Sequence, residues 1–175
     1  MNMGTDTTGW DSKSWDTPKD ILLDSDGVYK VNYYLKELTD PADSSSTIYE
    51  LHGNYYAWGV DISSWSDGDE MSADLGFYYD ENQKVDWSQI NMSYGGASDS
   101  TLTTWSCKDG TSTDASSFTF TEDSTSNCMA NTDKSQVQLS GDSGFFVGHW
   151  MRRFSTGDMT DDVMLMLDKP LYASF

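Results

Sequence analysis

An all-β fold is what this sequence predicts, on three observations. Apolar and polar residues alternate with a period of two in several separate runs, as they do in half-buried strands. Short clusters of Gly, Ser, Asp and Asn divide the runs and favour turns. No long stretch carries the three-to-four-residue apolar spacing of an amphipathic helix, and no internal repeat is evident.

Residues 1–20 read as an extended polar lead-in, rich in Thr, Ser, Asp and Gly. Residues 21–27 read as a short strand and turn. Asp24-Ser25-Asp26-Gly27 matches part of a calcium loop, but no Glu stands at the later position an EF-hand requires. From Tyr29 the alternation is clear, with Tyr29, Val31, Tyr33 and Leu35 set against Lys30, Asn32, Tyr34 and Lys36. Residues 39–47, with Pro41 and a serine run, form a loop.

A second strand covers residues 48–51, and His52-Gly53-Asn54 is expected to turn the chain and leave His52 exposed. A third strand sets Tyr56, Trp58, Val60 and Ile62 on one face. The small Ala57 and Gly59 lie opposite, where another backbone or a flat ligand can approach. An acidic loop over 64–70 ends at Met71, and Ala73, Leu75, Phe77 and Tyr79 alternate through a fourth strand. A polar turn at Asp80-Glu81-Asn82 leads to a further strand from Lys84. Residues 96–135 are dominated by Ser, Thr, Asp and Gly and read as an insertion, a surface loop with short strands at 102–105 and 118–121. In the last clear strand Val147, His149 and Met151 face one side and Gly148, Trp150 and Arg152 the other. A turn with caps follows at Ser155-Thr156-Gly157-Asp158.

At 175 residues the chain suits one domain, residues 21–175, with a sizeable core. Its net charge of −19, from 10 basic and 29 acidic residues, argues against nucleic acid or an anionic membrane surface as partner. No apolar run approaches the roughly 18 residues of a membrane-spanning helix. Residues 1–20 lack the basic and apolar regions of a signal peptide, so the start reads as a mature or excised domain behind Met1. Cys107 and Cys128 have no zinc-type ligand spacing around them. A disulfide closing the Ser/Thr/Asp-rich segment is the expectation, which places the domain in an extracellular or secretory-lumenal compartment. Asn91-Met92-Ser93 is a glycosylation sequon, a match that arises often by chance.

Arg152, Phe154, Thr156-Gly157-Asp158 and Asp161, followed by an expected strand at 163–167 and a closing Leu171-Tyr172-Ala173, resemble the C-terminal signature of the DOMON domain. The order Trp58-Gly59-Val60, acidic loop, Met71-Ser72-Ala73-Asp74, strand and polar turn is similar to that family's central hairpin. Together the two blocks cover residues 21–95 and 135–175. The resemblance implies an extracytoplasmic, immunoglobulin-like antiparallel β-sandwich of the haem- or sugar-binding kind.

The chemistry follows from few residues. No Gly-x-Ser-x-Gly elbow is present, and carboxylate pairs carry no weight in so acidic a chain. No catalytic activity of its own is therefore expected. In haem-binding relatives one axial ligand is a methionine after the Trp-containing strand, and Met71 holds the matching place; the other is a late histidine, for which His149 is the candidate. The resemblance thus implies haem b held by Met71 and His149, a filled coordination sphere that favours electron transfer to a redox partner over oxygen chemistry. Without a Cys-x-x-Cys-His sequence, attachment would be non-covalent. Tyr56, Trp58, Phe77 and Trp150 are candidates to wall the pocket. His52 and Met151 are the competing ligands.

Read without the resemblance, Met71 is one of nine methionines serving as packing, and His149 is a satisfied histidine. Arg152 reads as a structural residue paired with Asp158 or Asp161, and those carboxylates make calcium a lesser reading for the turn. The alternative to haem is a module that binds carbohydrate or another small ligand through its seven tryptophans and ten tyrosines, or an adhesion domain.

Overall fold

The structure, a computed structural model, describes residues 5–6, 19–22, 29–79, 84–96, 103–114, 119–154, 162–166 and 172–174. These residues form strands β1 (Thr5–Asp6), β2 (Lys19–Leu22), β3 (Tyr29–Thr39), β4 (Thr47–Asp61), β5 (Glu70–Tyr78) and β6 (Val85–Ser93). They continue with β7 (Thr104–Ser112), β8 (Thr121–Glu122), β9 (Cys128–Ala130), β10 (Gln136–Ser140), β11 (Ser143–Arg153) and β12 (Tyr172–Ser174). No helix occurs among the described residues.

Two antiparallel sheets pack face to face. The first has the order β1-β12-β5-β6-β7-β8, and the second β10-β11-β4-β3-β2, with β9 also paired to β11. This is the β-sandwich expected. Alternation decides what each strand gives to the space between the sheets. β3 gives Val31, Tyr33 and Leu35; β5 gives Ala73, Leu75 and Phe77; β6 gives Ile90 and Met92; β11 gives Phe146 and Trp150. Tyr33 meets Phe77 edge-on at 5.8 Å, and Trp65 stacks on Phe146 at 5.8 Å. A smaller cluster of Tyr78, Val85 and Trp87, packed with Phe120, lies apart from this core. Its Trp87 Nε1 donates to Ser112 Oγ at 2.8 Å.

β4 departs from expectation. It is one strand of 15 residues, and no turn occurs at His52-Gly53-Asn54. Gly53 marks a close approach instead: Trp150 of β11 lies across it, and a Cβ at Gly53 would overlap the indole ring. The phase of β4 changes at Gly59, which has φ 62° where the register with β11 slips between Gly144 and Phe146. This β-bulge lets Tyr55 and Ala57 point inward before it and Val60 and Ile62 after it. Tyr56 and Trp58 consequently face the opposite way from Val60 and Ile62, with which the uninterrupted pattern had grouped them.

Three other segments differ. Residues 104–112, expected to lie mostly in a surface loop, form the nine-residue β7 inside the first sheet. Within the expected lead-in, Thr5–Asp6 pairs with β12, and Lys19 and Asp20 begin a strand on β3. Residues 163–166 form no strand. They are tied to Tyr79, whose hydroxyl bonds the Met164 carbonyl at 3.3 Å and receives the Met166 N–H. The capped turn at 155–161 lies outside the described residues.

The Cys107–Cys128 disulfide is formed, with the two Cα atoms 5.5 Å apart. It links β7 of the first sheet to β9 of the second. No helix among the described residues is long and apolar enough to cross a membrane.

Candidate functional site

Arg152 reaches from β11 across the sandwich into a set of carboxylates. Its Nη1 donates to Asp86 Oδ1 at 2.5 Å and to Asp109 Oδ1 at 2.8 Å, and its Nη2 to Asp86 Oδ2 at 3.0 Å. Ser88 Oγ lies 3.4 Å from Nη1 and Asp162 Oδ1 4.0 Å from Nη2. Arg152 is 3% exposed, and Asp86 and Asp109 are fully buried. Asp109 also accepts the Asn127 N–H at 3.1 Å, and Asn127 Nδ2 bonds Asp162 at 3.3 Å. The partners expected from the acidic turn, Asp158 and Asp161, lie outside the described residues.

Three carboxylates share one guanidinium here. Burial pushes the Asp86 carboxyl up to about 6, Arg152 pulls against that, and Asp109 and Asp162 add to it. Burial raises Asp109 in the same way. For Arg152, burial works against the charge, but Asp86 and Asp109 overcome it and hold the guanidinium above its ordinary value. The three carboxylates offer oxygens within 4.8 Å of one another, a donor set that suits a hard cation. The guanidinium already bonds two of the three, so the cluster works as a cross-sheet ion-pair network.

The two residues expected to flank a haem iron do not come together. Met71 sits on β5 of the first sheet, half-buried and packed against the core between the sheets. His149 sits on β11 of the second sheet, and alternation with the inward Gly148 and Trp150 turns it to that sheet's outer face. Axial ligands must approach one iron from its two sides, whereas these side chains are separated by the backbone of the second sheet. The pocket aromatics divide likewise: Phe77 and Trp150 are core, while Tyr56 and Trp58 face out. Met71 and His149 do not fit a shared haem b.

The outer face of the second sheet is where polar and aromatic groups gather. Pairing across β3, β4 and β11 sets them in rows: Lys30–Tyr56–Val147, Asn32–Asn54–His149, Tyr34–His52–Met151 and Lys36–Glu50–Arg153. Within these rows three basic side chains stand against one carboxylate, in a chain of 10 basic and 29 acidic residues. Tyr56 and Trp58 stack at 5.2 Å, Phe145 leans on Trp58 at 6.2 Å, and Lys30 Nζ lies 5.4 Å from the Tyr56 centroid. These aromatics are half-buried.

His52 and His149 lie side by side on this face, with His52 Nδ1 3.5 Å from His149 Nε2. His52, expected in an exposed turn, is 4% exposed, because Tyr34 stacks on its ring at 5.2 Å. Its Nε2 contacts Glu50 Oε2 at 3.1 Å. His149 Nδ1 contacts Asn54 Oδ1 at 2.9 Å, and Ser135 Oγ accepts its backbone N–H at 3.0 Å. Burial depresses both imidazoles. Glu50 opposes the effect at His52, whereas Lys134 and His52 reinforce it at His149, which falls to about 4. Asn91 of the sequon is buried on β6 and bonded to Ser72 and Gln89.

No family model matches this chain, and no curated protein or solved structure matches it.

Asp86 and Asp109 left no mark in the sequence, since a carboxylate among 29 acidic residues is not distinctive. His149 and Met151 were placed on a common face by alternation alone. His52 joins them because its strand runs straight through Gly53.

Proposed function

We propose that this chain is a non-catalytic, extracytoplasmic binding module of the DOMON-like kind, and that its ligand is an acidic carbohydrate bound on the outer face of the second sheet. One observation carries the reading. The Lys30–Tyr56–Trp58–Phe145 strip runs beside Asn32 and Asn54, with Lys36 two rows beyond Asn32, on a face richer in basic groups than the chain as a whole. Amide side chains match sugar hydroxyls, ammonium groups match carboxylates or sulfates, and aromatic groups cover the apolar faces of pyranose rings. Tyr56 and Trp58 cover one face of each other, so the strip offers ring edges and its outer end. Hydrogen bonds and charge therefore supply most of the affinity. The Cys107–Cys128 disulfide supports an oxidising compartment, where such ligands occur.

The test is affinity electrophoresis and calorimetry of the purified chain with a polyuronate and with a neutral glucan. Retardation by the polyuronate is expected, weakened by added salt. Losses of about tenfold are expected in Trp58→Ala and in Lys30→Ala/Lys36→Ala. Absence of binding to every acidic and neutral glycan on an array would rule the reading out.

A further inference from the structure

The two histidines of the chain meet ring nitrogen to ring nitrogen, His52 Nδ1 against His149 Nε2. Asn54 sets its Oδ1, not its Nδ2, on His149 Nδ1 at 2.9 Å. An amide oxygen only accepts, so Nδ1 of His149 carries the hydrogen and Nε2 is bare. At His52 the Glu50 carboxylate only accepts, so Nε2 carries the hydrogen and Nδ1 is bare. The two bare nitrogens face each other at 3.5 Å, beyond the usual hydrogen-bond range of about 2.7–3.2 Å. Two imidazoles bound to one ion at about 2.0–2.1 Å, with a tetrahedral angle between them, hold their nitrogens roughly 3.4 Å apart. Metal-binding histidines also show this outer arrangement, the remote N–H given to a carboxylate or a carbonyl.

A sulfur ligand is at hand. Met151 is the cross-strand neighbour of His52 on the same face, and Met129 of β9 stands opposite Met151. Directly opposed side chains on one face have Cβ atoms about 4.5–5.5 Å apart, within reach of a flexible thioether. Imidazole with thioether is a donor set that favours copper over zinc. We propose that His52 Nδ1 and His149 Nε2 bind one copper ion, with the Met151 thioether as a third ligand. The charged groups around the pair are Glu50 on β4, Lys36 on β3 and Lys134 in the turn before β10. Copper binding here is independent of the carbohydrate reading, and either can fail alone.

The test titrates the full chain with Cu(I) against a bicinchoninate competitor and with Cu(II) followed by electron paramagnetic resonance. One equivalent is expected, with hyperfine structure from two imidazole nitrogens. His52→Ala and His149→Ala should each weaken binding by about a hundredfold, and Asn54→Ala by about tenfold. Met151→Leu should weaken Cu(I) by about tenfold and leave Zn(II) within about twofold. Long-range proton–nitrogen NMR of the metal-free protein, which needs no variant, should find hydrogens on His52 Nε2 and His149 Nδ1. A hydrogen on His52 Nδ1 or His149 Nε2 at neutral pH would overturn the proposal, because the pair would then be an ordinary imidazole hydrogen bond. Copper affinity unchanged in the His52→Ala/His149→Ala double variant would overturn it as well.

Discussion

Arg152 and Asp86 stand on opposite sheets and close the space between them with a two-pronged ion pair, Nη1 on Oδ1 at 2.5 Å and Nη2 on Oδ2 at 3.0 Å. The fork of the guanidinium matches the carboxylate, and the second donor on Nη1 takes Asp109 of the neighbouring strand β7. One side chain of β11 thereby fixes both β6 and β7 against it.

Replacing Arg152 by methionine keeps most of the side-chain volume and removes the charge. Asp86 and Asp109 then remain buried with no guanidinium, and breaking a buried pair from one side costs about 3–5 kcal/mol. Urea denaturation of Arg152→Met should show that loss. Arg152→Lys should recover little of it, since an ammonium cannot make the bidentate contact. A methionine variant as stable as the parent would mean that the bridge does not hold the sheets together.

The same crowding gives a pH dependence. Folding raises the Asp86 carboxyl from the ordinary 3.8 of an aspartate to about 6, chiefly through burial. The folded protein therefore binds a proton at Asp86 that the unfolded chain does not yet bind between roughly pH 6 and pH 4. A raised folded pKa contributes stability that is fully present below the unfolded value and lost as pH rises through the folded one. Lowering the pH from 7 toward 5 should thus stabilise the parent relative to Asp86→Asn, which has no proton to take up. Carboxyl carbon NMR of Asp86 should titrate with a midpoint near 6, and a midpoint near 3.8 would count against the assignment.

The strands most legible in the sequence are those whose alternation runs unbroken, namely β3, β5 and β11. β4 departs from its sequence pattern at two glycines that have different jobs. Gly53 is there because Trp150 crosses the strand, and Gly59 because the chain takes a bulge. A turn, a close approach and a bulge all call for glycine, and only the neighbouring strand tells them apart. Most of β7 has no strand signal in the sequence, for a physical reason as well. Its inward positions carry Trp105, Cys107 and Asp109, whose burial is made tolerable by Gly148, a disulfide and Arg152 on the other sheet. A strand whose inward side is satisfied by distant polar or covalent partners shows no hydrophobic period. The paired histidines were hidden for the same reason, since their contact depends on the register of β4 with β11.

β9 has three residues in its pairing with β11, and the Cys107–Cys128 bond ties it to β7. Closing a loop of about this length stabilises a fold by about 3 kcal/mol in the chain-entropy view. Cys107→Ala/Cys128→Ala should lose stability of that order. Before global unfolding, hydrogen exchange at Met129 and Ala130 should quicken more than at Leu35 or Leu75. Equal protection of β9 with and without the bond would show that β-pairing alone secures it.

Gly53→Ala tests the close approach of β4 and β11. The added methyl meets the Trp150 ring, which is 2% exposed and has no room to withdraw. Overpacking of this kind costs about 1–3 kcal/mol, and the φ of Gly53 is not positive, so none of it is backbone strain. At Gly59 the balance is reversed: the nearest atom to an added Cβ is 4.0 Å away, but φ is +62°, so Gly59→Ala should cost about 1–2 kcal/mol through the backbone alone. A double-mutant cycle separates the two causes. Trp150→Leu should relieve part of the Gly53→Ala penalty, because it removes the ring the methyl strikes, and should leave the Gly59→Ala penalty unchanged within about 0.5 kcal/mol. Additive losses at Gly53 and Trp150 would mean that the indole does not lie over the glycine.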